Sequence, residues 1–137
     1  MRPGTFLHLN VESKGHILVV TATGQISLEE ALSVYKQSVD AAVERDLGLV
    51  LVDFLAVQGE LSTLELYELG RTIGEYAARK FPGLKVATVG CPPLVNGFAA
   101  QVASNRGLSA ETFSDQQQAV AWLSRFAVSL TEHCTRK

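Results

Sequence analysis

Cysteine is scarce in this chain. Cys91 and Cys134 are the only two among 137 residues, too few for a disulfide framework, and His133 beside Cys134 does not match zinc-ligand spacing. Charge of one sign is lacking too. Lys and Arg total 12 against 14 Asp and Glu, a net charge of −2, and the basic residues are scattered among acids, which argues against a nucleic-acid binder. No apolar run reaches the roughly 18 residues that cross a bilayer, so no transmembrane segment is expected. The N-terminus, MRPGTFLHLNVES, is alternating and polar and has no apolar stretch of the secretory kind. A reducing, cytoplasmic setting is the simplest expectation.

Catalytic and cofactor motifs are also missing. Gly90, Gly97 and Gly107 are separated by helical sequence, so neither a phosphate loop nor a dinucleotide fingerprint is present. None of His8, His16 or His133 is placed by a motif to activate Cys91, and no acid pairs with a base. Cys91 reads as an ordinary buried or semi-buried thiol. The expectation is a non-enzyme with no cofactor and no metal site.

What the chain does have is a clear alternation of strands and helices. Apolar residues make up 47% and charged residues 19%, the balance of a soluble globular domain. Residues 6–13 and 16–23 alternate around Lys14-Gly15 and predict an antiparallel hairpin. Gly24 breaks the second run, and Ser27 with Glu30 makes a capping box ahead of a helix. Its expected apolar stripe is Leu28, Ala31, Leu32, Tyr35, Val39, Ala42 and Val43. Strands follow at 49–54, 85–90 and 111–113, with helices from 62 to about 80, 94 to about 105, and 115 to about 130. The last helix should bury Val120, Trp122, Leu123, Phe126 and Leu130. Fully apolar strands separated by amphipathic helices imply an α/β fold, a mixed, mainly parallel sheet of about five strands covered by about four helices. No linker divides the chain, so 1–137 is one domain with a frayed tail expected after 130.

The segment from 49 to 70 is where a site is expected, because ligands gather at the carboxyl ends of buried strands. Asp53 closes the most apolar strand and serves either as a cap for nearby backbone N–H groups or as a ligand. Ser62 and Thr63 stand at a helix head, where Ser62 and Glu65 form a second capping box and a phosphate would also be favoured. Gly70 and Gly74 lie one turn apart inside that helix. Each costs about 1 kcal/mol relative to Ala, which calls for close packing on the sheet or for a partner helix or flat ligand against the bare backbone.

The order of these elements, with Leu51-Val52-Asp53-Phe54, the Leu61-Ser62-Thr63 helix entry, Lys85-Val86-Ala87-Thr88-Val89, Phe113-Ser114-Asp115 and the ending Ala119-Val120-Ala121-Trp122-Leu123, resembles the STAS/SEC14-like (SpoIIAA-like) family. The likeness runs from about Phe6 to Leu123. It implies a SpoIIAA-like fold and, for its anti-sigma-factor antagonists, a Ser at the helix entry that a partner kinase phosphorylates. Ser62 stands at that position, with Leu61 where those proteins carry Asp. The branch with the Ala-Trp-Leu ending looks closer and implies a small non-catalytic domain. The leading expectation is therefore a regulatory or protein-interaction domain acting through Asp53, Ser62, Thr63, Gly70 and Gly74. A carrier or sensor of a small apolar, lipid-like ligand is the alternative, and a phosphoswitch at Ser62 is the third. Another protein or a second copy in a homodimer is the expected partner.

Overall fold

The computed structural model describes the backbone of residues 7–135 and the side chains of residues 7–126. β1 (Leu7–Lys14) and β2 (Ile17–Gln25) form the antiparallel hairpin. Only Gly15 and His16 lie between them, and Gly15 turns at φ +63°, the left-handed conformation that such a loop needs at its first position. Gly24 does not end β2. It pairs with Val57 and Gln25 pairs with Gln58, so the strand carries the glycine inside it.

α1 (Leu28–Arg45) starts at Ser27, whose Oγ accepts the Glu30 N–H at 3.2 Å. The other half of the expected capping box does not form, because the Glu30 carboxylate accepts the Leu7 N–H at 3.1 Å and ties the helix head to β1. Val43, expected in the apolar stripe, is exposed, and Ser38 takes an inner place by donating to the Val34 carbonyl.

β3 (Leu49–Gln58) runs well past the expected end at 54. Thr21 pairs with Asp53 and Thr23 with Ala56, so Phe54 and Leu55 together face Ala22 in a bulge, after which pairing resumes. α2 (Thr63–Lys80) and β4 (Lys85–Val89) fall close to their expected limits. α3 (Phe98–Ser104) begins later than expected, since Gly97 adopts φ +88° and Asn96 Oδ1 accepts the Phe98 N–H at 3.0 Å. β5 (Ser109–Phe113) and α4 (Gln116–Thr135) complete the chain. Phe6 lies outside the described residues, as do the side chains of Leu130, His133 and Cys134, so the tail expected to fray after 130 is described as backbone alone, up to 135.

The sheet order is β1-β2-β3-β4-β5, antiparallel at the first pair and parallel thereafter. Each parallel crossover steps to the next strand in the same direction, and a constant right-handed connection then puts every crossover helix on one face. Packing agrees with this. Leu18, Val20, Val50, Val52 and Val86 meet Val34 and Val39 of α1, Leu66, Leu69 and Ile73 of α2 and Ala103 of α3. The opposite face, with Ile17, Val19, Leu49, Leu51, Ala87 and Val89, is covered by Ala119 and Leu123 of α4, with Trp122 and Phe126 packed alongside. Val120, expected in that stripe, is exposed.

Candidate functional site

Because the strand order never reverses, this sheet lacks the crevice that a doubly wound sheet opens at its switch point. The Asp53 carboxylate, placed beside the bulge on the α4 side of the sheet, is engaged within the chain. Oδ1 accepts the Leu55 N–H at 2.8 Å and Oδ2 accepts from Gln116 Nε2 at 3.1 Å. A bulge leaves a backbone group without a ladder partner, and Asp53 supplies one while fastening the head of α4 to β3.

Ser62 sits in a closed capping box. Its Oγ accepts the Glu65 N–H at 3.1 Å, and Glu65 Oε1 accepts the Ser62 N–H at 2.9 Å. Ser62 and Thr63 are both exposed, whereas Leu61 is buried in the core. Gly70 and Gly74 lie elsewhere, buried under α3. A Cβ at Gly70 would come within 2.8 Å of Val102 Cβ, and one at Gly74 within 2.9 Å of the Ala103 Cα and carbonyl oxygen. The helix that approaches their bare backbone is α3 of the same chain, so neither glycine presents surface to a partner.

Sequence reasoning missed what does surround Ser62 along the chain. Leu55 is 52% exposed, Leu64 76% and Tyr67 38%. Leu64 and Tyr67 are one turn apart on α2 and therefore neighbours on its surface. A polar rim adjoins them: Arg106 donates to Tyr67 Oη at 3.0 Å and pairs with Glu75 at 3.5 Å, and Arg71 bridges Glu68 and Glu75. Leu64 points away from the Leu66, Leu69 and Ile73 stripe, which a helical projection of the sequence would have revealed.

Under α2, α3 and the 91–97 turn lies a cavity of about 60 Å³, lined by Tyr35, Phe54, Leu69, Thr88, Leu94 and Val95 among others. Binding pockets for drug-sized molecules run to roughly 300–1,000 Å³, so the cavity in this form does not hold a lipid-like ligand. At its floor the Tyr35 and Thr88 hydroxyls bond at 2.7 Å. Burial pushes the Tyr35 hydroxyl up from 10.0 to about 12, with the Thr88 hydrogen bond pulling the other way. The neutral phenol is thus favoured by folding. Its contribution is complete below pH 10 and is lost as pH rises from 10 to about 12. Chemical denaturation across that range should show stability falling by on the order of 2 kcal/mol more in the wild type than in Tyr35→Phe. Parallel slopes for the two proteins would refute the assignment.

Cys91 is exposed, contrary to its expected burial, and is a free thiol. His8 and His16 are exposed on the hairpin. Among the described residues no group of three His, Cys, Asp or Glu side chains could hold a metal ion, and no helix is long and apolar enough to cross a membrane.

No family model matches the sequence, and no curated protein matches it either. Solved structures do match. An anti-sigma factor antagonist from Mycobacterium paratuberculosis superposes with a TM-score of 0.59 at 16% identity, over 86% of this chain and 94% of that one. An uncharacterised protein of the DUF3478 family with a SpoIIAA-like fold, from Shewanella loihica PV-4, superposes with a TM-score of 0.50 at 21% identity over the same shares. At these identities the likeness carries the architecture alone: the chain has a SpoIIAA-like fold.

Proposed function

We propose that this chain is a non-enzymatic regulatory domain that acts by binding another protein at the β3–α2 corner. The observation that carries the reading is the exposure of Leu64 and Tyr67, neighbours on the first turns of α2 whose N-cap Ser62 is itself exposed, where solvent contact with large apolar side chains gains nothing for the fold. A central apolar anchor within a polar rim is the usual anatomy of a protein interface, and Tyr and Arg are favoured there. The name of the Mycobacterium neighbour, an anti-sigma factor antagonist, is in keeping with a protein partner. The setting we propose is cytoplasmic, and the Ala119-Val120-Ala121-Trp122-Leu123 ending supports placement in the branch with that ending.

A photoreactive residue at position 64 tests this in the native cell. One protein should be captured at 64, and not from a control position at Glu111 on β5, and capture should be lost in Tyr67→Glu. Equal products from both positions would reject the corner. A second reading, a phosphoswitch at Ser62, is favoured by the exposure of that hydroxyl beside the same apolar side chains. A phosphate there would displace the Glu65 box by like-charge repulsion while gaining the helix N-terminus. Ser62→Asp, itself a good cap, should leave stability unchanged and alter capture at 64 if the switch operates.

A further inference from the structure

The two edges of the sheet are finished differently. At β5 the Ser104 hydroxyl accepts the Ala110 N–H at 3.4 Å and donates to the Ala110 carbonyl at 3.2 Å, sealing the outward-facing backbone groups of that residue. Among the described residues β1 has no such cover beyond Leu7. Lys14 pairs with Ile17 across a two-residue loop, so Lys14, Glu12, Asn10 and His8 exchange backbone bonds with β2, and the alternate residues turn theirs outward. The Leu7 N–H confirms this direction, since it reaches Glu30 on α1. Among the described residues, the backbone groups of Leu9, Val11 and Ser13 have no partner. Such an edge is a template for another strand.

We propose that a second copy of this chain occupies it, with β1 pairing antiparallel to the partner's β1 about a two-fold axis through Asn10, so that the two sheets become one. The side chains select both occupant and register. Centred on Asn10, this pairing sets Leu9 opposite the partner's Val11 on the helix-covered face, where Leu9 and Val11 are each only half-buried in the single chain. On the other face it sets exposed His8 opposite the partner's Glu12, and Glu12 opposite the partner's His8, so an imidazole N–H meets a carboxylate twice. Centring on Glu12 would oppose two carboxylates, and centring on Val11 would oppose Lys14 to the partner's His8. The open hollow of about 540 Å³ between Val11 and the Gln37, Asp40, Ala41 and Glu44 side of α1 lies beside this edge, and the partner's Leu9 would partly cover it.

Sedimentation velocity of the full chain at pH 7 tests the proposal. The wild type should show a concentration-dependent monomer–dimer equilibrium in the micromolar range. Val11→Pro removes an outward N–H that β2 does not use, as an edge strand tolerates, and should be monomeric with an unchanged circular dichroism spectrum. His8→Glu, at an exposed position, should weaken the dimer about tenfold, and His8→Glu with Glu12→Lys should return it to within about threefold of the wild type. A wild type that stays monomeric, a Val11→Pro chain that folds and dimerises as before, or a double variant no tighter than His8→Glu would each overturn the proposal. If Val11→Pro does not fold, the His8 and Glu12 series decides.

Discussion

Gly74→Val should unfold at markedly lower urea concentration than the wild type, with a loss of about 3 kcal/mol. The sign is not obvious from helix propensity, which rewards replacing an interior glycine by about 1 kcal/mol for Ala and somewhat less for Val. The neighbouring atoms decide it. The added Cβ would meet the Ala103 Cα and carbonyl oxygen at 2.9 Å and Arg106 Cβ at the same distance, and backbone cannot rotate aside as a side chain end can. α3 must then move off α2, which opens the contacts of Val102 and Ala103 with the core. Gly74→Ala should already lose about 1–2 kcal/mol, since the same Cβ is added without the branches. A neutral or stabilising Gly74→Ala in urea melts would show that α3 does not pack as described. Partner-binding tests that enlarge Gly70 or Gly74 would therefore report on folding, and the exposed Leu64 and Tyr67 are the positions to vary instead.

Those glycines also show what a sequence conceals. Their spacing marks a close approach but does not say whether the sheet, a partner helix or a ligand makes it. The answer depends on α3, a short helix after Pro92-Pro93 whose start is set by Asn96 and Gly97 rather than by any apolar period. The alternation of strands and helices along the chain, the hairpin and the Ser62 box were legible because each rests on a local pattern of alternation, turn or cap. The second half of β3 was not. Ala56, Val57 and Gln58 are strand because Thr23, Gly24 and Gln25 lie alongside them, and Asp53 sits at the bulge that restores the pairing. Glu30 likewise completes no box because β1 offers it the Leu7 N–H. Long-range partners outcompeted local ones in each case. The exposed apolar side chains at the corner could have been found, since Leu64 breaks the stripe of its own helix.

Leu123→Ala should cost about 3 kcal/mol and, beyond that, should separate the melting of α4 from that of the rest of the protein. Three helices cover one face of the sheet and support one another, with Leu66, Ile73 and Ala103 in a single large cluster. The other face has a smaller cluster under α4, in which Leu123 is fully buried against Leu49, Leu51, Ala87 and Val89. Truncating it leaves a cavity beneath the only cover that face has among the described residues, so α4 should release at lower denaturant than the sheet unfolds. The chain supplies its own reporter. Trp122 is the single tryptophan, it lies on α4, and it packs between Phe113 of β5 at 5.8 Å and Phe126 at 5.2 Å. Its fluorescence follows docking of α4, whereas far-ultraviolet circular dichroism follows all the elements together. In the wild type the two transitions should coincide. In Leu123→Ala the fluorescence transition should come first, and coincident transitions in the variant would mean that α4 and the sheet unfold as one unit despite the small cluster between them.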